Sequence, residues 1–375
     1  MKCPEAPTAA YTAQVLYRLG PLLLLSLALA GCSSDDHASP PSADPISAAP
    51  RKWSFIEFSE SRCRDGSPAG IFVNLEPSSK RLMIFLQGGG ACFNPAMCEI
   101  NPARIDRSNL EFATGILDRA HIDNPVADWN LVFVPYCTGD VHAGDNTSGD
   151  PGIGPQQFVG YRNLERFLDR LVPTFPGLTH VLYAGASAGG YATGLTADLP
   201  LRKFDARTRV IMLDDSGPGM SSTYIAKCLQ RRWRTVFGYD RTVLADCGAD
   251  CPDPDAYAQD IARHVMKNPR LGGGLLSSID DALNPIIYGY GVDDCSADPT
   301  KIAAPLPVGQ YRQGLIEFRE LARANSATFG TYYVPGTIHT FTQDAAFYTL
   351  EVSGVRLVDW VSRLIDSAPA EHVGP

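Results

Sequence analysis

Positive charge is scarce in this sequence. Thirty-two Lys and Arg face 41 Asp and Glu, a formal net charge of −9 at pH 7. Nucleic-acid binding draws most of its affinity from cations set against phosphate, so this balance argues against nucleic acid as the main partner. Long hydrophobic runs are short of requirement too. Pro21 to Ala30 is apolar but too short to span a bilayer. Paired zinc ligands are missing: Cys247 and Cys251 have a tolerable spacing, yet no Cys/His pair answers them nearby. No internal repeat is present. Histidine is sparse, seven in all, which narrows the search for a general base. What is plentiful is apolar residue, 45% of 375, ample for one large α/β domain with insertions.

The N-terminus reads as an export signal. Lys2 and Arg18 supply positive charge, Pro21–Ala30 the apolar core, and Leu29-Ala30-Gly31-Cys32 resembles a bacterial lipobox. The expectation is a signal peptide over 1–31 and lipidation of Cys32. Ser33, in place of an inner-membrane retention Asp, points to the outer membrane or cell surface if the source is Gram-negative. Residues 32–50 are Ser-, Ala-, Pro- and Asp-rich, a tether without the bulk for a core. Eight further cysteines remain: Cys63, Cys92, Cys98, Cys137, Cys228, Cys247, Cys251 and Cys295. An even set in an exported chain implies disulfides. Cys92–Cys98, across a short loop, is the expected pair; the other pairings stay open.

Residues 51–367 alternate strand and helix patterns, which predicts a doubly wound, mostly parallel α/β-hydrolase-like sheet with function at the strand C-termini. Trp53–Phe58, Gly70–Leu75, Leu82–Leu86, Asn130–Pro135, His180–Tyr183, Val210–Leu213, Pro285–Tyr290 and Thr328–Val334 read as strands. Helices are expected around Asn109–Asp118, Phe158–Val172 and Val308–Ala324. Residues 220–285 read as an insertion forming a cap, and 368–375 as a frayed tail holding His372.

The chemistry converges on Gly185-Ala186-Ser187-Ala188-Gly189, a G-x-S-x-G motif between an apolar strand and a small-residue helix. That context makes Ser187 a candidate nucleophile in a strained elbow. Gln87-Gly88-Gly89-Gly90-Ala91-Cys92 leaves another buried strand, where bare backbone N–H groups can face a ligand. His339, in a loop after the last strand, is the candidate base; His37, His121, His142, His180, His264 and His372 are poorly placed for it. For the acid, Asp293 ends the strand candidate before the histidine, with Asp294 and Asp215 as alternatives. Asp140-Val141-His142 lacks the second ligand pair a metal needs, and a loop aspartate satisfying backbone N–H groups is the better reading.

These stretches together resemble the pectin acetylesterase and Notum family of serine carboxylesterases. The likeness is carried by Cys63-x-Asp65-Gly66-Ser67-Pro68, Gly88-Gly89-Gly90-x-Cys92, Pro135-Tyr136-Cys137-x-x-Asp140, Gly185-x-Ser187-Ala188-Gly189-Gly190 and Asp215-Ser216-Gly217. The resemblance implies ester hydrolysis with Ser187 as nucleophile, His339 as base, and Gly89, Gly90 and Ala188 as the oxyanion hole. It implies no metal or organic cofactor and no obligate protein partner. Plant members carry Trp where Ala91 stands and Glu where Gln87 stands; losing that aromatic widens the pocket. The expected substrate is an acetyl or other short acyl ester of a saccharide or similar molecule. A lipase or peptidase on the same fold, and an inactive carbohydrate-binding lipoprotein, are the alternatives.

Overall fold

A computed structural model describes residues 44–375. The expected signal peptide, Cys32 and most of the tether lie outside the described residues. The last tether residues, 44–50, are not free. Ile46 is buried, its N–H donates to Thr174 Oγ1 (2.8 Å), and Pro50 bridges to Leu75.

The framework is a nine-stranded sheet: β1 (Ser54–Arg62), β2 (Pro68–Asn74), β3 (Arg81–Leu86), β4 (Asn130–Val134), β5 (His180–Ala186), β6 (Arg209–Asp215), β7 (Leu271–Ser278), β8 (Phe329–Val334) and β9 (His372–Val373). The spatial order is β1-β2-β4-β3-β5-β6-β7-β8-β9. The first two pairings are antiparallel and the other six parallel. This is the doubly wound, mostly parallel α/β architecture the alternating pattern predicts. Strand periodicity divides the core. Leu82, Ile84 and Leu86 point to one face, with Leu164, Phe167, Ile261 and Phe318 of the covering helices. Met83 and Phe85 point to the other, with Trp129, Trp360 and Leu364.

Four expectations need correction. Pro285–Tyr290 is not a strand: Asn284–Gly289 is a short helix, with Pro285 at its start where the missing N–H costs nothing. The sheet position goes instead to Leu271–Ser278, whose glycines hide its strand character. They are needed because neighbours pack directly on the strand: a Cβ on Gly274 would lie 2.6 Å from the Trp360 ring, and one on Gly273 would lie 2.3 Å from Met212 O. The cap therefore ends before residue 271. Asn109–Asp118 is turns with a single 3-10 turn, Gly115–Leu117. The C-terminal residues are not frayed: β9 pairs with β8, and Arg319 donates to the carbonyls of Val373, Gly374 and Pro375.

The eight cysteines form Cys63–Cys137, Cys92–Cys98, Cys228–Cys295 and Cys247–Cys251. The expected short-loop pair is present, and Cys247 and Cys251 bond each other rather than a metal.

Candidate active site

Ser187 sits between β5 and the helix Ala188–Leu195, at φ 56° and ψ −121°. A non-glycine residue there is strained by about 1–3 kcal/mol, held by what surrounds it. Its neighbours are glycine for steric reasons. A Cβ on Gly189 would meet Leu86 O at 2.0 Å, and one on Gly185 would meet Gly189 O at 2.3 Å. The Ser187 N–H donates to Asp215 O (2.7 Å), tying the elbow to the end of β6.

His339 arrives on the loop after β8. Its Nε2 lies 2.7 Å from Ser187 Oγ and its Nδ1 lies 2.8 Å from Asp281 Oδ2. The Asp281 side chain is fully buried and the imidazole nearly so. Asp281 Oδ1 accepts the N–H groups of Leu283 and Asn284 (2.8 and 2.9 Å), so the carboxylate is fixed and turns only Oδ2 to the imidazole.

The partner of His339 is thus Asp281, not Asp293, Asp294 or Asp215. With β7 ending at Ser278, Asp281 lies three residues past a sheet strand. Asp293 and Asp294 follow a helix instead, exposed and with positive φ. Asp215 does different work beside the site. Its Oδ2 accepts Phe341 N–H, Thr342 N–H and Thr342 Oγ1 (2.7–2.8 Å), clamping the loop that carries His339. Burial pushes its carboxyl above the ordinary range and those donors pull it back. Ser278 Oγ holds the same loop through Ile338 O (2.6 Å). The signals for Asp281 are its place between Ser187 and His339 in chain order and the helix start at Asn284-Pro285, and reading Pro285–Tyr290 as a strand hides both.

Gly88, Gly89 and Gly90 line the open cavity in front of Ser187, and their N–H groups donate to no protein acceptor among the described residues. Ala188 opens its helix, so its N–H has no intrahelical partner. Ser187 therefore faces both uncommitted donors and a positive helix end. Asp140 takes donors from Thr138 Oγ1 and Gly160 N–H (2.6 and 2.7 Å), while His142 Nε2 bonds Gln87 O (2.9 Å). No group of three His, Cys, Asp or Glu side chains among the described residues could hold a metal ion.

Two cavities meet at Ser187. One, about 610 Å³, opens to solvent and is walled by Met97, Ile100, Leu283, Ile286, Ile287 and Ile302. The other, about 30 Å³, lies behind the elbow against Ala91, Ala188, Tyr191, Trp233, Ile287 and Tyr288. Trp233, from the cap helix Lys227–Phe237, went unnoticed in the sequence because nothing local marks it as facing the serine. Its ring centre stands 5.9 Å from that of Phe93 and 6.2 Å from that of Tyr191, and it lines the small cavity together with Ala91.

Residues 52–243, slightly more than half of the chain, match the family described as Pectinacetylesterase. Palmitoleoyl-protein carboxylesterase notum1a of Danio rerio is 32% identical over 158 residues, 39% of this chain and 31% of that protein. Palmitoleoyl-protein carboxylesterase NOTUM of Mus musculus is 33% identical over 147 residues, 36% and 28% respectively. The aligned stretch thus spans less than a third of these relatives. The solved structure of the Wnt deacylase Notum from Drosophila has the same fold, with TM-score 0.64 and 18% identity over 84% of this chain and 94% of that one.

Proposed function

The chain belongs to the pectinacetylesterase family, and we propose that it is a serine carboxylic-ester hydrolase that removes acetyl or another short acyl group from a saccharide or similar ester. The observation that carries this is the continuous Ser187–His339–Asp281 hydrogen-bond chain beside free backbone donors. His339 Nε2 takes the Ser187 proton as Oγ attacks the ester carbonyl. The N–H groups of Gly89, Gly90 and Ala188 hold the oxyanion. Asp281 keeps the Nδ1 tautomer and stabilises the imidazolium. The protonated His339 then gives its proton to the departing alcohol, and a water deprotonated by His339 releases the acid.

The small cavity supports the short acyl group. At about 30 Å³ it has room for roughly two water-sized groups, enough for an acetyl methyl and little more. The alcohol half then occupies the wide cavity. A second reading is favoured by that cavity's own apolar wall, which suits a long aliphatic chain. A series of nitrophenyl esters from acetate to decanoate decides between them. The acetyl reading expects kcat/KM to fall with chain length, and Trp233→Ala to move the optimum to longer chains. An optimum at eight carbons or more in wild type overturns it.

We also propose that the protein is anchored to the outer membrane through lipidated Cys32; the lipobox-like Leu29–Cys32 supports this. Wild type should partition into detergent and Cys32→Ser should not. Equal partitioning contradicts the anchor.

A further inference from the structure

We propose that Asn101, Tyr136 and His142 are positioning residues that aim the backbone N–H groups of the Gln87–Ala91 loop at Ser187. The inference rests on the esterase reading above and concerns how the oxyanion donors come to be pre-set.

A loop with three successive glycines has wide backbone freedom, and holding it in one conformation costs more entropy than for other residues. Something outside the loop must hold it. Each side chain named here donates to one loop carbonyl. His142 Nε2 lies 2.9 Å from Gln87 O, Asn101 Nδ2 lies 2.6 Å from Gly89 O, and Tyr136 Oη lies 2.9 Å from Gly90 O. In a planar trans peptide the carbonyl and the following N–H point in opposite directions. A bond that draws a carbonyl toward the protein therefore turns the next N–H the other way. Asn101 sets the donor Gly90 N–H in this manner, while Tyr136 and His142 fix the Gly90–Ala91 and Gln87–Gly88 peptides on either side, so that freeing one of these lets the donor peptides between them turn. Gly89 N–H lies between two pinned peptides.

The three holders are themselves fixed. Tyr136 N–H donates to Gln87 Oε1 (2.9 Å), and its hydroxyl accepts Val141 N–H (2.7 Å), which leaves its single proton for Gly90 O. Asn101 O accepts Arg64 Nη2 (2.6 Å). His142 is buried, its ring tilted against that of Tyr136 at 4.6 Å between ring centres. Bonding a carbonyl requires its proton on Nε2. The fit to the loop is tight: a Cβ on Gly89 would lie 2.9 Å from the Tyr136 ring, and Gly90 has φ 73°.

The test uses Asn101→Leu, which removes the donor at similar volume, and Tyr136→Phe. Nitrophenyl acetate turnover is measured per active site, titrated with a fluorophosphonate, and phenylboronic acid serves as the tetrahedral-adduct probe. Removing an oxyanion donor outright costs about 10²–10³ in kcat. Misaiming one is expected to lower kcat about tenfold or more, with KM within about twofold, and to weaken the boronic acid by a matching factor. Loss of packing alone would lower the melting temperature and the titratable fraction without moving boronate affinity. The proposal is overturned if kcat per site stays within about twofold of wild type in both variants, or if kcat falls while boronate affinity holds. If Asn101→Leu does not fold, Tyr136→Phe decides by the same criteria. A wild type that turns over no ester sinks the esterase reading and this inference together; an active wild type with unmoved variants sinks the inference alone.

Discussion

Replacing Asp281 by Asn separates the fold from the proton relay. Asp281 makes three hydrogen bonds: Oδ1 accepts from Leu283 and Asn284, and Oδ2 faces His339 Nδ1. Asn keeps the first two through its own carbonyl oxygen, so the loop after β7 should hold its shape. Its NH₂ then meets Nδ1, donor against donor. The imidazole escapes by moving its proton to Nε2, which places N–H against Ser187 Oγ and removes the base. A wrong tautomer of this kind costs about 10⁴ in kcat, or about 5.4 kcal/mol at 1.36 kcal/mol per tenfold. The assay is nitrophenyl acetate turnover, with thermal unfolding as control, across Asp281→Asn, Asp293→Asn, Asp294→Asn and Asp215→Ala. Asp281→Asn should lose about 10⁴ with little change in melting temperature. Asp293→Asn and Asp294→Asn should stay near wild type. Asp215→Ala should lose stability as well, because it strands the buried N–H groups of Phe341 and Thr342, each costing about 1–3 kcal/mol. A well-folded Asp281→Asn within tenfold of wild type, or a larger fall at Asp293, refutes the reasoning.

Two further outcomes bear on stability. Loop closure over the 74-residue separation of Cys63–Cys137 is worth about 4 kcal/mol, against about 2 kcal/mol for the short Cys247–Cys251 loop. Paired Ser variants should rank in that order by chemical denaturation, and the reverse order would contradict the loop-entropy account. Burial pushes His142 down to about 4, below the ordinary 6.5, so between these values the unfolded chain binds the extra proton. The stability this gives is complete above about 6.5 and is lost as pH falls through 4. At pH 4.5 wild type should have lost about 2.5 kcal/mol that His142→Gln does not lose. Asp140, raised to about 6 by burial, acts with the opposite sign, but it is common to both proteins and cancels in the difference. Parallel pH profiles for the two proteins would show that His142 carries no such linkage.

The parts of the site that were legible in sequence are those whose chemistry is local. The elbow is legible because a strand, a serine between small residues and a helix must be consecutive, and Gly185 and Gly189 have close backbone neighbours for a reason stated by the motif itself. The Gly88–Gly90 loop is legible for the same reason. The acid was not, because its place depends on recognising a strand with three successive glycines. Leu271-Gly272-Gly273-Gly274 has poor strand propensity, and its glycines are explained only by residues distant in sequence: Arg209 and Met212 of β6 and the ring of Trp360. Missing that strand moved the register to Pro285–Tyr290 and the acid to Asp293. Trp233 and Asn101 were hidden differently. Each touches the site across a long sequence separation, and neither residue type announces itself without the fold. The C-terminal strand β9 is two residues long, below what an alternation pattern can register, and is held by Arg319 from another helix.

The central claim is that Ser187 is the nucleophile of an ester hydrolase, and the most direct measurement is turnover of nitrophenyl acetate by Ser187→Ala beside wild type. The account predicts measurable hydrolysis by wild type and a fall on the order of 10⁶ in the variant, with its thermal unfolding essentially unchanged. Hydrolysis by Ser187→Ala within about tenfold of wild type would contradict it.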